Sequence, residues 1–265
     1  MILQEAMDHF VQRQLRQDTG QGRLAEGCME AFADYLLHFS DLFREAEHLD
    51  DEDLAEWEKA LEANMAKLFG GDIEPTTELG NLNVAQLDAE HMRDFLGWYL
   101  IREAGADDIT IEAYCSVLRD WLEALTQKRW LNEATRLEFL SVVDELEPEC
   151  IRAAKASQLL FHFVRLGSGV APRLRGKQFT EFVEGHARLV KVEDQQAWLQ
   201  FDNHSAPIGP VWLAAEIVQF LEVGDVIDVE LGLRGDTWLM VDVGPVYPAA
   251  VYVEAEELHT PDKLS

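Results

Sequence analysis

A chain of 265 residues with 48% hydrophobic and 27% charged residues is globular rather than disordered, and long enough for two ordinary domains. Its net charge of −28 repels free nucleic acid and anionic membrane surfaces from the molecule as a whole. Three scattered cysteines, Cys28, Cys115 and Cys150, form neither a CxxC pair nor a disulfide framework, and no uncharged run is long enough to cross a membrane.

In chain order, MILQEAMDHF lacks a basic region followed by an apolar run, which with the isolated thiols predicts a cytoplasmic protein without a signal peptide. Helical spacing covers residues 1–17 and 24–47; in the second, Leu24, Cys28, Phe32, Tyr35, Leu36 and Phe39 recur at three and four. Asp50-Asp51-Glu52-Asp53 suits a helix start, with Leu54, Trp57, Leu61, Met65 and Leu68 on one face and Gly70-Gly71 at its end. Residues 72–87 read as a loop. Asp88 caps a helix reaching about Arg102, and Gly105 breaks it. Further helices are predicted from Thr110 to Lys128, over 133–146, and over 149–166 beyond Pro148. Met29–Leu37 faintly echoes Met92–Leu100, as two copies of a helical hairpin would, or as any two amphipathic helices do.

After Gly167-Ser168-Gly169 the pattern changes to strands. His186–Val192 alternates weakly, Asp194-Gln195-Gln196 turns, Ala197–Phe201 returns, Val211–Leu213 is a short strand, and Ala215–Leu221 is a turn or two of helix. Val226–Leu233 alternates, with Ile227, Val229, Leu231 and Leu233 on one face. Gly235-Asp236 fits a two-residue hairpin loop, which pairs Leu233 with Trp238 and Leu231 with Met240 on a shared core face. The return strand, Thr237–Val243, is apolar on both sides; either helices cover its outer face or a β-bulge changes its register. Val251–Val253 adds a last strand. The fold class expected is therefore α+β in two parts: a helical domain over 1–166, divisible into 1–71 and 88–166, a linker over 167–178, a small β-barrel of SH3-like or OB-like type over 179–256, and a tail over 257–265.

Phe95, Trp98-Tyr99-Leu100, Asp107-Asp108-Ile109-Thr110-Ile111, Tyr114, Leu118-Arg119, Trp121 and Leu125 together form a pattern over residues 92–131. It resembles the SAM-like N-terminal core-binding domain of tyrosine recombinases of the phage-integrase type. The resemblance implies a local helical fold. The family's catalytic domain has no counterpart: His162-Phe163-Val164-Arg165 spells its His-x-x-Arg, but no strand-borne Arg precedes it and no matching Tyr helix follows. Met92–Arg136 carries six Lys or Arg against eight Asp or Glu, so the charge that would face DNA is missing.

Charge segregation supplies the candidate site. Between Arg152 and Lys191 lie eight Lys or Arg and two Asp or Glu, a net +6, while the rest of the chain carries −34. Arg165, Arg173, Arg175, Lys177, Arg188 and Lys191 read either as an external surface for phosphate, nucleic acid or an acidic partner, or as a clamp that docks the barrel on the acidic helical part. Trp212, in Gly209-Pro210-Val211-Trp212, suits a barrel rim and a binding role, whereas Trp57, Trp98, Trp121, Trp130, Trp198 and Trp238 read as packing. The acidic run Glu45–Glu58 lacks the order of a calcium loop, the histidines lack zinc spacing, and no phosphate loop or nucleophile motif occurs, so neither cofactor nor metal is expected. The function expected is non-enzymatic, an interaction or regulatory protein with a protein partner. The alternatives are a nucleic-acid-associated accessory protein and an enzyme with an unrecognised site between its parts.

Overall fold

The computed structural model describes residues 1–40 and 82–251. The acidic run Glu45–Glu58, the helix expected to follow it, Trp57, most of the 72–87 loop and all but the first residue of Val251–Val253 lie outside the described residues. The chain is mixed α and β, with N-terminal helices followed by a five-stranded sheet. It divides into two compact units: Met1–Phe95 with Ala113–Val143, and Leu96–Glu112 with Asp144–Ser265.

The first unit is helical. Helix α1 (Leu3–Gln17) buries Leu3, Ala6, Met7 and Phe10, one stripe at helical spacing. Asp18 caps α2 (Thr19–His38) by accepting from the Gln21 amide at 2.8 Å, so α2 starts earlier than the hydrophobic spacing implied. Asp88 caps α3 (Ala89–Asp94) in a reciprocal arrangement with His91. That helix runs through a π turn, Phe95–Tyr99, into α4 (Leu100–Arg102), which already belongs to the second unit; the turn is a disruption inside the single helix expected here. The aromatic centre of the unit is Phe32, whose ring lies 4.9 Å from Phe95 and 5.7 Å from Trp121, a residue of α5 (Asp108–Gln127).

Helix α6 (Glu133–Arg165) is continuous for 33 residues and contains Pro148, so the expected break into 133–146 and 149–166 does not occur. Proline removes one bond of the helical ladder. Packing holds the helix on both sides of it: Phe139, Val143 and Leu146 are fully buried before it, and Cys150, Ala153, Ala156 and Leu160 after it.

In the second unit five strands close on themselves in the order β1-β2-β3-β5-β4, with β4 paired back to β1. Strand β1 (Glu181–Glu193) is long enough to serve two neighbours. Its first part, through Arg188, pairs with β4 (Val226–Arg234), and from Arg188 on it pairs with β2 (Gln196–Gln200) across a bulge at Leu189/Lys191. Strand β3 (Ile208–Trp212) leads into a short helix, α7 (Ala215–Val218), and meets β5 (Thr237–Tyr247) in parallel at one bridge, Val211 with Trp238.

The β4–β5 hairpin has the expected register: Arg234 opposite Thr237, Leu233 opposite Trp238, and Leu231 opposite Met240. Gly235, at φ +70, supplies the left-handed backbone that the first loop position requires. Only Leu231 and Met240 are fully buried core residues; Leu233 and Trp238 are half-buried. A change of register accounts for part of the two-sided apolar character of β5, while Leu239 and Tyr247 are buried outside the core it feeds. Glu230 faces Asp242 while Leu231 faces Met240, leaving Val241 extra, so Met240, Val243 and Val246 all reach one core.

That core includes Ala153, Ala156 and Leu160 of α6. The helix and the loop after it also complete the edge of β5 that β3 leaves open. The Val246 amide donates to Ser157 Oγ at 2.9 Å, and buried Ser168 Oγ donates to the Met240 carbonyl. Where composition placed a linker, 167–178, Ser168 and Leu174 are buried, and the second compact unit takes in Leu96–Glu112 as well as the chain from Asp144 on.

Candidate functional site: a groove at Trp212

Because the seam between β3 and β5 is a single bridge, a groove of about 440 Å³ opens there. Trp212 from β3, Trp238 and Thr237 from β5, Asp236 from the hairpin loop, Gln196 from β2, and Arg173 line it. Arg173 belongs to the 3-10 turn Pro172–Leu174.

Trp212 is 41% exposed, a large apolar area for one side chain, and it is held in place from behind. Its ring lies 5.7 Å from Phe163 on α6 and directly against Gly169. A Cβ at Gly169 would come within 2.2 Å of the indole, and the backbone there has φ +60, so only glycine leaves room for this tryptophan. Arg173 Nη2 donates to Thr237 Oγ1 at 3.4 Å and stands 4.0 Å from Asp236 Oδ1. Hydrogen bonding from Thr237, with the charge of Arg173 adding to it, holds the Asp236 carboxyl below its usual range. The groove thus offers two aromatic faces, a guanidinium, a carboxylate and neutral hydrogen-bonding groups. It can grip a partly apolar chain that also presents polar atoms.

The sequence-predicted residues divide between roles. Arg173 and Trp212 line the groove. Lys177 stands against the hairpin loop, where a Cβ on Gly235 would meet its Nζ at 2.9 Å. Arg165 stacks over Phe161 at 4.3 Å. Arg175 has no ion pair among the described residues. Arg188 donates to the Gly224 carbonyl at 3.1 Å, while Lys191 pairs with Glu193 and lies 4.3 Å over Trp198. Two further members of the basic stretch are held inside the unit: Arg152 by Asp225, Glu149 and Glu222, and Lys155 by Asp108.

Sequence reasoning missed Gln196, Trp198 and Trp238 as surface groups. The signal was present in β2: Ala197 and Leu199 are fully buried, so the alternation puts Gln196, Trp198 and Gln200 on the opposite face.

Among the described residues no three His, Cys, Asp or Glu side chains gather as a metal site, and no helix is long and apolar enough to cross a membrane. Cys28, Cys115 and Cys150 are free and buried. Comparison of the chain with protein-family models, curated proteins and solved structures finds no match.

Proposed function

We propose that the closed sheet is a small barrel of the OB-like rather than the SH3-like type, and that the protein is a non-enzymatic, cytoplasmic interaction protein whose binding face is the Trp212 groove. The OB-like reading rests on the Greek-key neighbours β3–β5 and β4–β1 and on the helix between β3 and β4. Barrels of this type bind extended polymers on the β2–β3 face and the β4–β5 loop, where this groove lies.

The observation that carries the functional reading is Trp212, exposed yet fixed by Phe163 and Gly169. A rigid aromatic anchor inside a concave surface is the usual energetic centre of a protein interface. A protein segment is favoured over nucleic acid because Arg152, Lys155, Arg188 and Lys191 already have partners within their own unit. The phosphate track that the basic stretch promised is thereby reduced to Arg165, Arg173, Arg175 and Lys177.

The test compares wild type with Trp212→Ala. Proteins retained by the wild type from its native host and lost by the variant, with unchanged melting temperature, support the reading. The nucleic-acid alternative draws on Lys191 over Trp198 and on Arg173 at the rim. Salt-dependent binding of a short single strand that Trp212→Ala abolishes would put that alternative first.

A further inference from the structure

Charge is distributed unevenly along the Trp212 groove. At its hairpin end the turn Pro172–Leu174 is fixed by Leu174, which is buried beside the β4–β5 loop: a Cβ on Gly235 would meet Leu174 Cδ2 at 3.6 Å and Lys177 Nζ at 2.9 Å. Arg173 lines the groove from this turn, Lys177 stands against the loop, and Arg175 lies between them in sequence, exposed and without an ion pair among the described residues. Arg234, opposite Thr237, adds a fourth cation, stacked over Phe179 at 4.0 Å. The carboxylates that the strand register sets beside this end are Asp236, 4.0 Å from Arg173, and the exposed Glu181, opposite Leu233. Positive charge is therefore in surplus here. At the Gln196 end it cancels, because Glu193, opposite Gln196, pairs with Lys191.

This surplus has a selective effect in an acidic chain. The stretch from Arg152 to Lys191 carries +6 and the rest of the chain −34. An acidic segment is attracted here and repelled by the remainder, whereas a basic segment is attracted to the remainder instead. Specificity of this kind comes from repulsion as much as from attraction. The apolar requirement is separate: Trp212 and Trp238 offer indole surface inside a groove of about 440 Å³, the size of an ordinary ligand site.

We propose, resting on the reading of this groove as the binding face, that its occupant is an acidic segment of a partner protein. An apolar side chain of that segment lies against Trp212 and Trp238, and neighbouring Asp or Glu side chains reach Arg173, Arg175 and Lys177. The Arg173 guanidinium suits both oxygens of one carboxylate, and the Lys177 ammonium serves a second as a point charge.

The experiment is a selection from an unbiased library of random short peptides with the full chain as bait, followed by fluorescence anisotropy on the enriched sequences. The expected peptides join Asp or Glu to a large apolar residue and lose binding in Trp212→Ala. Replacing their acids by Asn or Gln should weaken binding about tenfold, since each exposed ion pair contributes about threefold. Added salt should narrow that gap, and the double variant Arg173→Gln with Lys177→Gln should remove most of it. Trp212-dependent peptides without an excess of acid overturn the proposal and leave the groove as the binding face. Absence of any Trp212-dependent peptide, with the variant melting like the wild type, overturns both. If Trp212→Ala fails to fold, the exposed pair Arg173 and Lys177 still decides, because an undiminished preference for acid in their double variant also overturns the proposal. Two other occupants give distinct results. A dimer in sedimentation that Trp212→Ala abolishes assigns the groove to a second copy. Tighter peptide binding once Glu254, Glu256 and Glu257 are changed to Gln assigns it to the chain's own residues 252–265. Either result overturns the assignment to a partner.

Discussion

Asp225 is tightly held within the second unit. It is fully buried, and its two oxygens accept from Arg152 at 2.7 and 2.8 Å and from the Glu222 amide at 2.8 Å. Burial alone would lower the Arg152 pKa, but the hydrogen bonds and charges of Asp225 and Glu149 outweigh it, and the net shift is upward. Removing one partner of such a pair leaves a charge without compensation, so Asp225→Ala should cost about 3–5 kcal/mol in denaturant unfolding. A loss below about 1 kcal/mol would show that water replaces the carboxylate freely. Tyr247 supplies a pH dependence. Desolvation pushes its phenol from 10.0 up to about 12, with Arg102 opposing and Asp228 and Glu103 assisting. A raised folded pKa means stability fully present below the unfolded value and lost as pH rises through the folded one. Unfolding should therefore steepen between about pH 10 and pH 12, and Tyr247→Phe should flatten that limb.

Among the elements, the β4–β5 hairpin was legible because its signals are local: a two-residue turn with glycine first, flanked by period-two alternation. The edge completion of β5 was not legible, since it depends on Ser157 and Ser168, 89 and 72 residues away in sequence from the backbone groups they serve. Nor did the sequence distinguish the two explanations for the apolar outer face of β5, because a bulge at Val241 leaves no mark in composition. Helix boundaries were readable where a cap declares them, as at Asp88, and misread at Pro148, where packing on each side overrides the residue's own preference. Of the candidate site, Trp212 and Arg173 were visible from charge and loop chemistry, while the groove itself arises only when the closed sheet brings β3 and β5 together. Ser157 holds the β5 edge through its hydroxyl, which accepts from the Val246 amide. Its replacement by alanine strands the Val246 amide, which should cost about 1–3 kcal/mol and speed hydrogen exchange at Val246 while leaving the hairpin end near Gly235 unchanged. Unaltered exchange at Val246 would mean that the β5 edge is held by something other than the helix.

At the scale of the whole molecule, composition draws the boundary in one place and packing in another. Glycine, proline and basic residues cluster at 167–178, which is why that stretch reads as a linker. Within the second unit, however, the closed sheet does not contain its whole core: Ala153, Ala156 and Leu160 contribute buried side chains, with Leu159, Phe163 and Val164 packed against them. Small domains bury a modest fraction of their surface, so losing six apolar contributors from one side should be decisive. A polypeptide of residues 179–265 should therefore expose the inner faces of β1 and β5, bind a hydrophobic dye and melt without a sharp transition. A polypeptide of residues 144–265 should melt more cooperatively and bind less dye, because it retains the helix, Ser157 and Ser168. Limited proteolysis of the full chain makes the same distinction without truncation. Ser168 and Leu174 are buried, so a fragment spanning residues 140–210 should survive intact through the early time points. First cleavage inside Gly167–Gly176, together with a cooperative melt of 179–265, would place the functional boundary at the glycine-rich stretch and make the helix an accessory rather than part of the core.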